Sequence, residues 1–198
     1  MFARRRPSTL KPLVALALFV LAVTVSACAP HKPTQSGFLT DAPAVKGQGY
    51  TSALIDPVEY RPVGRTPRKA DPADMDALMA DYRKELETAF AAHFRIATKP
   101  GPGVLRVRAA VTGYTLANPA WNAASLALPI GPRNGGISTE AEVVDARTGA
   151  PIIAQSKGFN GHLRNAGPAA MFDRDRHAET GLRQHARTLA EGASAATR

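Results

Sequence analysis

Val104-Leu105-Arg106-Val107-Arg108-Ala109-Ala110-Val111-Thr112-Gly113-Tyr114-Thr115 is the stretch that decides the fold. Leu105, Val107, Ala109 and Val111 alternate with Arg106, Arg108, Ala110 and Thr112. Successive side chains of a strand point to opposite faces, so one apolar set at a period of two marks a half-buried strand. Lys99-Pro100-Gly101-Pro102-Gly103 stands immediately before it and stops whatever comes earlier.

Downstream the alternation returns. Ile137, Thr139, Ala141 and Val143 share one face of a second strand, Ile137 to Asp145, and Ser138, Glu140, Glu142 and Val144 the other. Asp145-Ala146-Arg147-Thr148-Gly149 makes a tight turn, with Gly149 supplying positive φ. Pro151 to Phe159 then returns as the partner strand of a hairpin. The outer faces suggest a pairing of Arg106 and Arg108 with Glu140 and Glu142, at about 0.2–1 kcal/mol per pair. A catalytic carboxylate pair needs a pocket that keeps one member protonated. Glutamates facing water beside arginines lack that pocket, so the two are read as structural.

Upstream, Asp71-Pro72 opens a helix: Asp caps well, Pro fits the first turn, and Asp74 favours the positive end of the helix dipole. Met75, Leu78, Met79, Tyr82, Leu86, Ala89, Phe90, His93 and Phe94 recur at spacings of three and four. His93 reads as a helix-end residue rather than a ligand. Before it, Tyr50 to Tyr60 holds a strand centred on Ala53-Leu54-Ile55, with Pro57 at an edge, a bulge or the strand end. Arg61 to Lys69 is a basic, Pro-rich loop. Asn118 to Gly136 reads as a long loop holding Trp121, and Gly161 to about Arg176 as irregular, with Met171-Phe172 partly buried. Ala178, Leu182, His185, Ala186 and Leu189 mark a last helix of weak amphipathicity, with a frayed tail from Glu191. The expectation is an α+β domain, residues 50–198, with element order β-α-β-β-β-α. A roughly four-stranded, mainly antiparallel sheet would carry both helices on one face.

The first 27 residues read differently. Arg4, Arg5, Arg6 and Lys11 form a basic head with no acidic residue before Cys28, and Leu13 to Val25 is uncharged and apolar. That is a secretory signal, too short for a good membrane-spanning helix. Val25-Ser26-Ala27-Cys28 resembles the lipobox of bacterial lipoproteins. The resemblance implies diacylglycerol on the Cys28 thiol, an acyl chain such as palmitate on its amine, and a mature chain starting there. Cys28 is the single cysteine, as an attachment point requires. One acyl chain holds a protein only marginally, whereas two or three anchor it stably. Ala29 follows, and by resemblance to enterobacterial sorting the absence of Asp there favours the outer membrane, periplasmic-facing, over the inner. Residues 28–49, rich in Pro, Lys, Thr, Gly and Ala, read as a flexible tether.

The chain carries 25 basic and 16 acidic residues, a formal +9. Four of the basic ones precede Cys28, so about 170 residues remain with 21 basic and 16 acidic, a net of +5. This excess is scattered, without the basic stripe and interleaved aromatics of a nucleic-acid binder. Gly-x-Ser-x-Gly, His-Glu-x-x-His and Walker motifs are absent, and His31, His93, His162, His177 and His185 are dispersed. On one helix His177 and His185 would sit two turns and about 80° apart, which is no ligand face. No catalytic residue, metal or cofactor is expected, and an enzyme ranks last. An adaptor that binds an envelope protein ranks first, with Trp121, Leu126, Leu128 and Ile130 as its candidate partner surface. A carrier of a lipid or small molecule is the alternative. An open apolar pocket would favour the carrier and a filled core the adaptor.

Ser36-Gly37-Phe38-Leu39, Leu54-Ile55-Asp56-Pro57-Val58, Gly101 to Thr112, Asn118-Pro119, Gly135-Gly136, Glu140-Ala141-Glu142 and Asp145 to Gly149 together resemble the proteobacterial lipoprotein family known as domain of unknown function 3313. That resemblance implies an envelope lipoprotein and no known activity.

Overall fold

The computed structural model describes residues 49–63, 71–125, 127, 135–160 and 175–198. The expectations at Val25, Ser26, Ala27 and Cys28, at Leu126, Leu128 and Ile130, and over residues 161–174 lie outside the described residues.

The elements are β1 (Ser52–Ile55), β2 (Glu59–Tyr60), α1 (Pro72–Ala91), β3 (Arg95–Ile96), β4 (Val104–Thr115), α2 (Pro119–Ser125), β5 (Gly136–Asp145), β6 (Pro151–Asn160) and α3 (Arg176–Ala196). Strand β4 has the bounds its sequence pattern marks, follows that alternation as far as Val111, and stands inside the sheet. β1 and then β2 run parallel along one of its sides, with Pro57 in the gap between them. β5 lies antiparallel along the other side, and β6 antiparallel to β5. Among the described residues, six strands form one mixed sheet, in the order β3-β1-β4-β5-β6 with β2 also on β4. The α+β class and the helical crossover stand as expected. The strand count rises from four to six because β2 and β3 are two residues each, too short to show a period.

Backbone direction follows from connectivity. Helix α1 returns the chain between parallel β1 and β4, so it opposes both. β6 is two antiparallel steps from β4 and therefore parallel to it. Gly181 of α3 approaches Ile137 and Phe159, and Gly192 approaches Ile153, so α3 runs against β6. The two long helices consequently run side by side in one direction.

Helices α1 and α2 each begin for a local reason. The Asp71 carboxylate accepts from the backbone N–H of Ala73 at 3.0 Å ahead of Pro72. The Asn118 amide oxygen accepts from the N–H of Trp121 at 3.0 Å ahead of Pro119. The expected loop from Asn118 to Gly136 thus contains a capped helical turn. Helix α3 is longer and more amphipathic than its sequence suggests: Ala193 and Ser194 are buried, so the expected fraying from Glu191 does not occur. Small side chains make the buried stripe there, and they carry little hydropathy signal.

The core lies between the sheet and the two long helices. Ile55, Leu105, Val107, Val111, Ala141 and Val143 meet Leu78, Tyr82, Leu86 and Phe90 of α1 and Leu182, Ala186 and Leu189 of α3. Burying each large side chain contributes about 1.5–3 kcal/mol. Register shifts between Val111 and Gly113. The extra residue inverts the alternation, so Gly113 faces Ser138 and Tyr114 returns to the core side opposite Ile137. The Tyr114 hydroxyl donates to the Asp175 carboxylate at the start of α3.

The β5–β6 turn is tied to the first strand. Asp145 accepts from the N–H groups of Arg147 and Thr148 and from the Tyr50 hydroxyl at 2.8 Å. The Thr148 amide, above all, holds the Asp145 carboxyl down at about 2, and burial with the Asp145 bond pushes the Tyr50 phenol up to about 12.

Candidate functional site

Three polar features stand out. The first lies on the sheet face away from the helices. Arg108 pairs with Glu142 as its facing residue. Arg106 instead reaches Asp56 beside β1 at 2.8 Å, and the residue facing Glu140 is Ala110. The expectation that both glutamates face water is corrected: Glu140 and Glu142 are each 0% exposed. Alternation tells which face a residue takes, and it does not tell whether that face is covered.

The second feature lies inside the core. His185 of α3 is fully buried, and its Nδ1 sits 2.7 Å from the Tyr82 hydroxyl of α1 and 2.6 Å from the Thr139 hydroxyl of β5. The Tyr82 and His185 rings stack, with centroids 6.0 Å apart. Burial and then the Lys157 charge push the imidazole down to about 4, so it is neutral at pH 7. Burial likewise raises the Tyr82 phenol. The Nε2 of His185 has no hydrogen-bond partner among the described residues. Sequence reasoning set His185 aside as one dispersed histidine. The missed signal was three polar residues, Tyr82, Thr139 and His185, all at core positions of their elements.

The third feature is a groove of about 700 Å³ on the solvent side of the helix pair. Lys84, Glu85 and His93 line it from α1 and the turn after it, and Arg183, Arg187 and Glu191 from α3. Arg183 pairs with Glu85 at 3.1 Å. The lining is charged, which is not the apolar pocket of a lipid carrier.

Between sheet and helices there is close contact instead. A Cβ placed on Gly181 would come within 2.8 Å of Ile137 Cγ2 and of Phe159 Cβ and Cγ. One on Gly192 would come within 2.6 Å of Ile153 Cδ1. At both points the backbone of α3 rests directly on the sheet; at Gly181 a methyl would meet Phe159 Cβ and Cγ, which cannot swing aside, and at Gly192 the flexible tip of Ile153. Trp121 is half-buried on α2, and its expected companions Leu126, Leu128 and Ile130 lie outside the described residues. Among the described residues, no helix is long and apolar enough to cross a membrane, and no cluster of three or more His, Cys, Asp or Glu could hold a metal ion.

Fold and site together define a small α+β domain with α3 seated directly on the sheet and a charged groove on its helical surface. Residues 30–173 match the family described as protein of unknown function (DUF3313), and the chain belongs to that family. No curated protein matches it. Among solved structures it is similar to the PelC dodecamer from Paraburkholderia phytofirmans (13% identity, 76% of this chain and 95% of that one, TM-score 0.42). It is also similar to protein XCC0632 from Xanthomonas campestris (12%, 73% and 83%, TM-score 0.40) and to lipoprotein GNA1162 from Neisseria meningitidis (12%, 61% and 90%, TM-score 0.35).

Proposed function

We propose that the chain is a cell-envelope lipoprotein, anchored through lipid on Cys28, whose domain is a non-catalytic adaptor for an envelope protein. The anchor rests on the basic head, the apolar run and Val25-Ser26-Ala27-Cys28. The adaptor role rests on one observation. A carrier needs room between sheet and helices, and there Gly181 and Gly192 bring the α3 backbone directly against Ile137, Phe159 and Ile153 of the sheet. The proposed contact surface is centred on Trp121 and extends through Leu126, Leu128 and Ile130, facing the periplasm from the outer membrane. The buried hydroxyl–imidazole trio does not argue for catalysis. Its three members are closed in by the core, and they do not line the groove.

Two experiments test this. In cell fractionation, Cys28→Ser is expected to move the protein from the membrane to the soluble fraction. Retention in the membrane would overturn the anchor. In intact-cell crosslinking, the native chain is expected to capture one envelope protein reproducibly and near-stoichiometrically. Changing Trp121, Leu126, Leu128 and Ile130 to serine should abolish that capture. A co-purifying lipid without a protein partner would replace the adaptor by a carrier.

A further inference from the structure

We propose that the Tyr82–His185–Thr139 node is an acid-sensitive latch, in which protonation of His185 unseats α3 from α1 and from β5. This inference is independent of the partner reading above. The node joins three elements through buried side chains: Tyr82 from α1, Thr139 from β5 and His185 from α3. In the neutral ring, Nδ1 meets both hydroxyls and one orphan nitrogen, Nε2, is tolerated. Protonation turns both ring nitrogens into donors. Nδ1 can then accept from neither hydroxyl, Nε2–H has no acceptor among the described residues, and the imidazolium has no solvent around it.

Among the described residues, the groups that face the ring offer no compensation. From α1 the ring faces the Tyr82 phenol, which burial holds in its neutral form. From β5 it faces the Thr139 hydroxyl, and β4 places uncharged Val111 opposite Thr139. From β6 it feels Lys157, a cation whose ammonium donates to Thr188 Oγ1 of α3 at 3.2 Å. A second positive charge between these elements is repelled, and unseating α3 relieves it. The lever reaches the surface. Arg183 and Arg187, two residues either side of His185 on α3, line the groove against α1, so unseating α3 redistributes the groove's cations.

The direction with pH follows from linkage. The folded imidazole titrates near 4 and an unfolded one near 6.5, so between these values the open form binds more protons. The closed seat is fully favoured above pH 6.5 and weakens as pH falls toward 4. Opening of α3 is expected to rise on the order of 100-fold between pH 7 and pH 4.

The test uses the full chain in detergent, following amide exchange along α3 from pH 7 to pH 4 with correction for intrinsic exchange. The His185 ring is titrated by NMR in parallel. Expected are steep acid loosening of α3, a depressed His185 titration in step with it, and a much flatter profile in His185→Gln. An unperturbed His185 titration, or an unchanged acid response in His185→Gln, would overturn the latch. Should His185→Gln fail to fold, the native chain decides alone. Loosening in step with ring protonation supports the latch, and ring protonation without loosening ends it.

Discussion

Replacing Gly181 by leucine is expected to destabilise the domain by about 3 kcal/mol, the upper end of the usual cost of overpacking. The atoms in the way are Ile137 Cγ2 and Phe159 Cβ and Cγ, all at 2.8 Å from where a Cβ would stand. The two Phe159 atoms are held close to the β6 backbone and cannot swing aside, so α3 itself must lift. Gly181→Ala meets the same atoms, but it gains about 1 kcal/mol of helix propensity. Its net cost should be about 1 kcal/mol. Gly192→Ala is the contrast. Its nearest obstacle, Ile153 Cδ1, is the far end of a flexible side chain. That variant should be neutral or more stable by up to about 1 kcal/mol. Denaturant midpoints at unchanged m measure all three. A Gly181→Leu midpoint equal to that of the native chain would mean that α3 does not rest on β5 and β6 as described.

Arg108→Ala should cost about 2–3 kcal/mol, whereas Arg106→Ala should cost less than about 1 kcal/mol. The two arginines are two residues apart on the same face of β4, and each pairs with a carboxylate. They differ in what happens to the partner. Asp56 keeps access to water when Arg106 is lost, but Glu142 is 0% exposed and has no water to take the place of the Arg108 guanidinium. Replacing both members, Arg108→Met with Glu142→Leu, should recover most of the loss, because an apolar pair has no charge to strand. Equal costs for the two single alanine variants would place Glu142 at the surface.

What could be read from sequence follows a physical pattern. β4 was legible to the residue because its apolar set is large and its period unbroken up to Thr112. The start of α1 was legible because Asp71-Pro72 is a local signature that tertiary contacts did not override. Arg95-Ile96 was not legible, since both residues are exposed and two residues carry no period. Asn118-Pro119 carries the same kind of capping signal as Asp71-Pro72, but the helix it opens has only seven residues. The burial of Glu140 and Glu142 depends on what covers the second sheet face. The His185 node depends on Tyr82 and Thr139, which lie 103 and 46 positions from it along the chain and meet it only in the folded core.

The topology of β4 also orders events in time. Its antiparallel partner β5 folds onto β6 through a turn closed by Asp145, so that hairpin needs almost no loop closure. Its parallel partner β1 is another matter. Ser52 meets Val104, and about fifty residues must be looped out before their first bond forms. The meander β4-β5-β6 is therefore expected to nucleate folding, with β1 and α1 condensing on it afterwards. In kinetic terms, Val143→Ala should slow refolding while Ile55→Val mainly hastens unfolding. A chain that has emerged only as far as α1 is then a helix and a strand without a template, and it stays open until the central strand arrives.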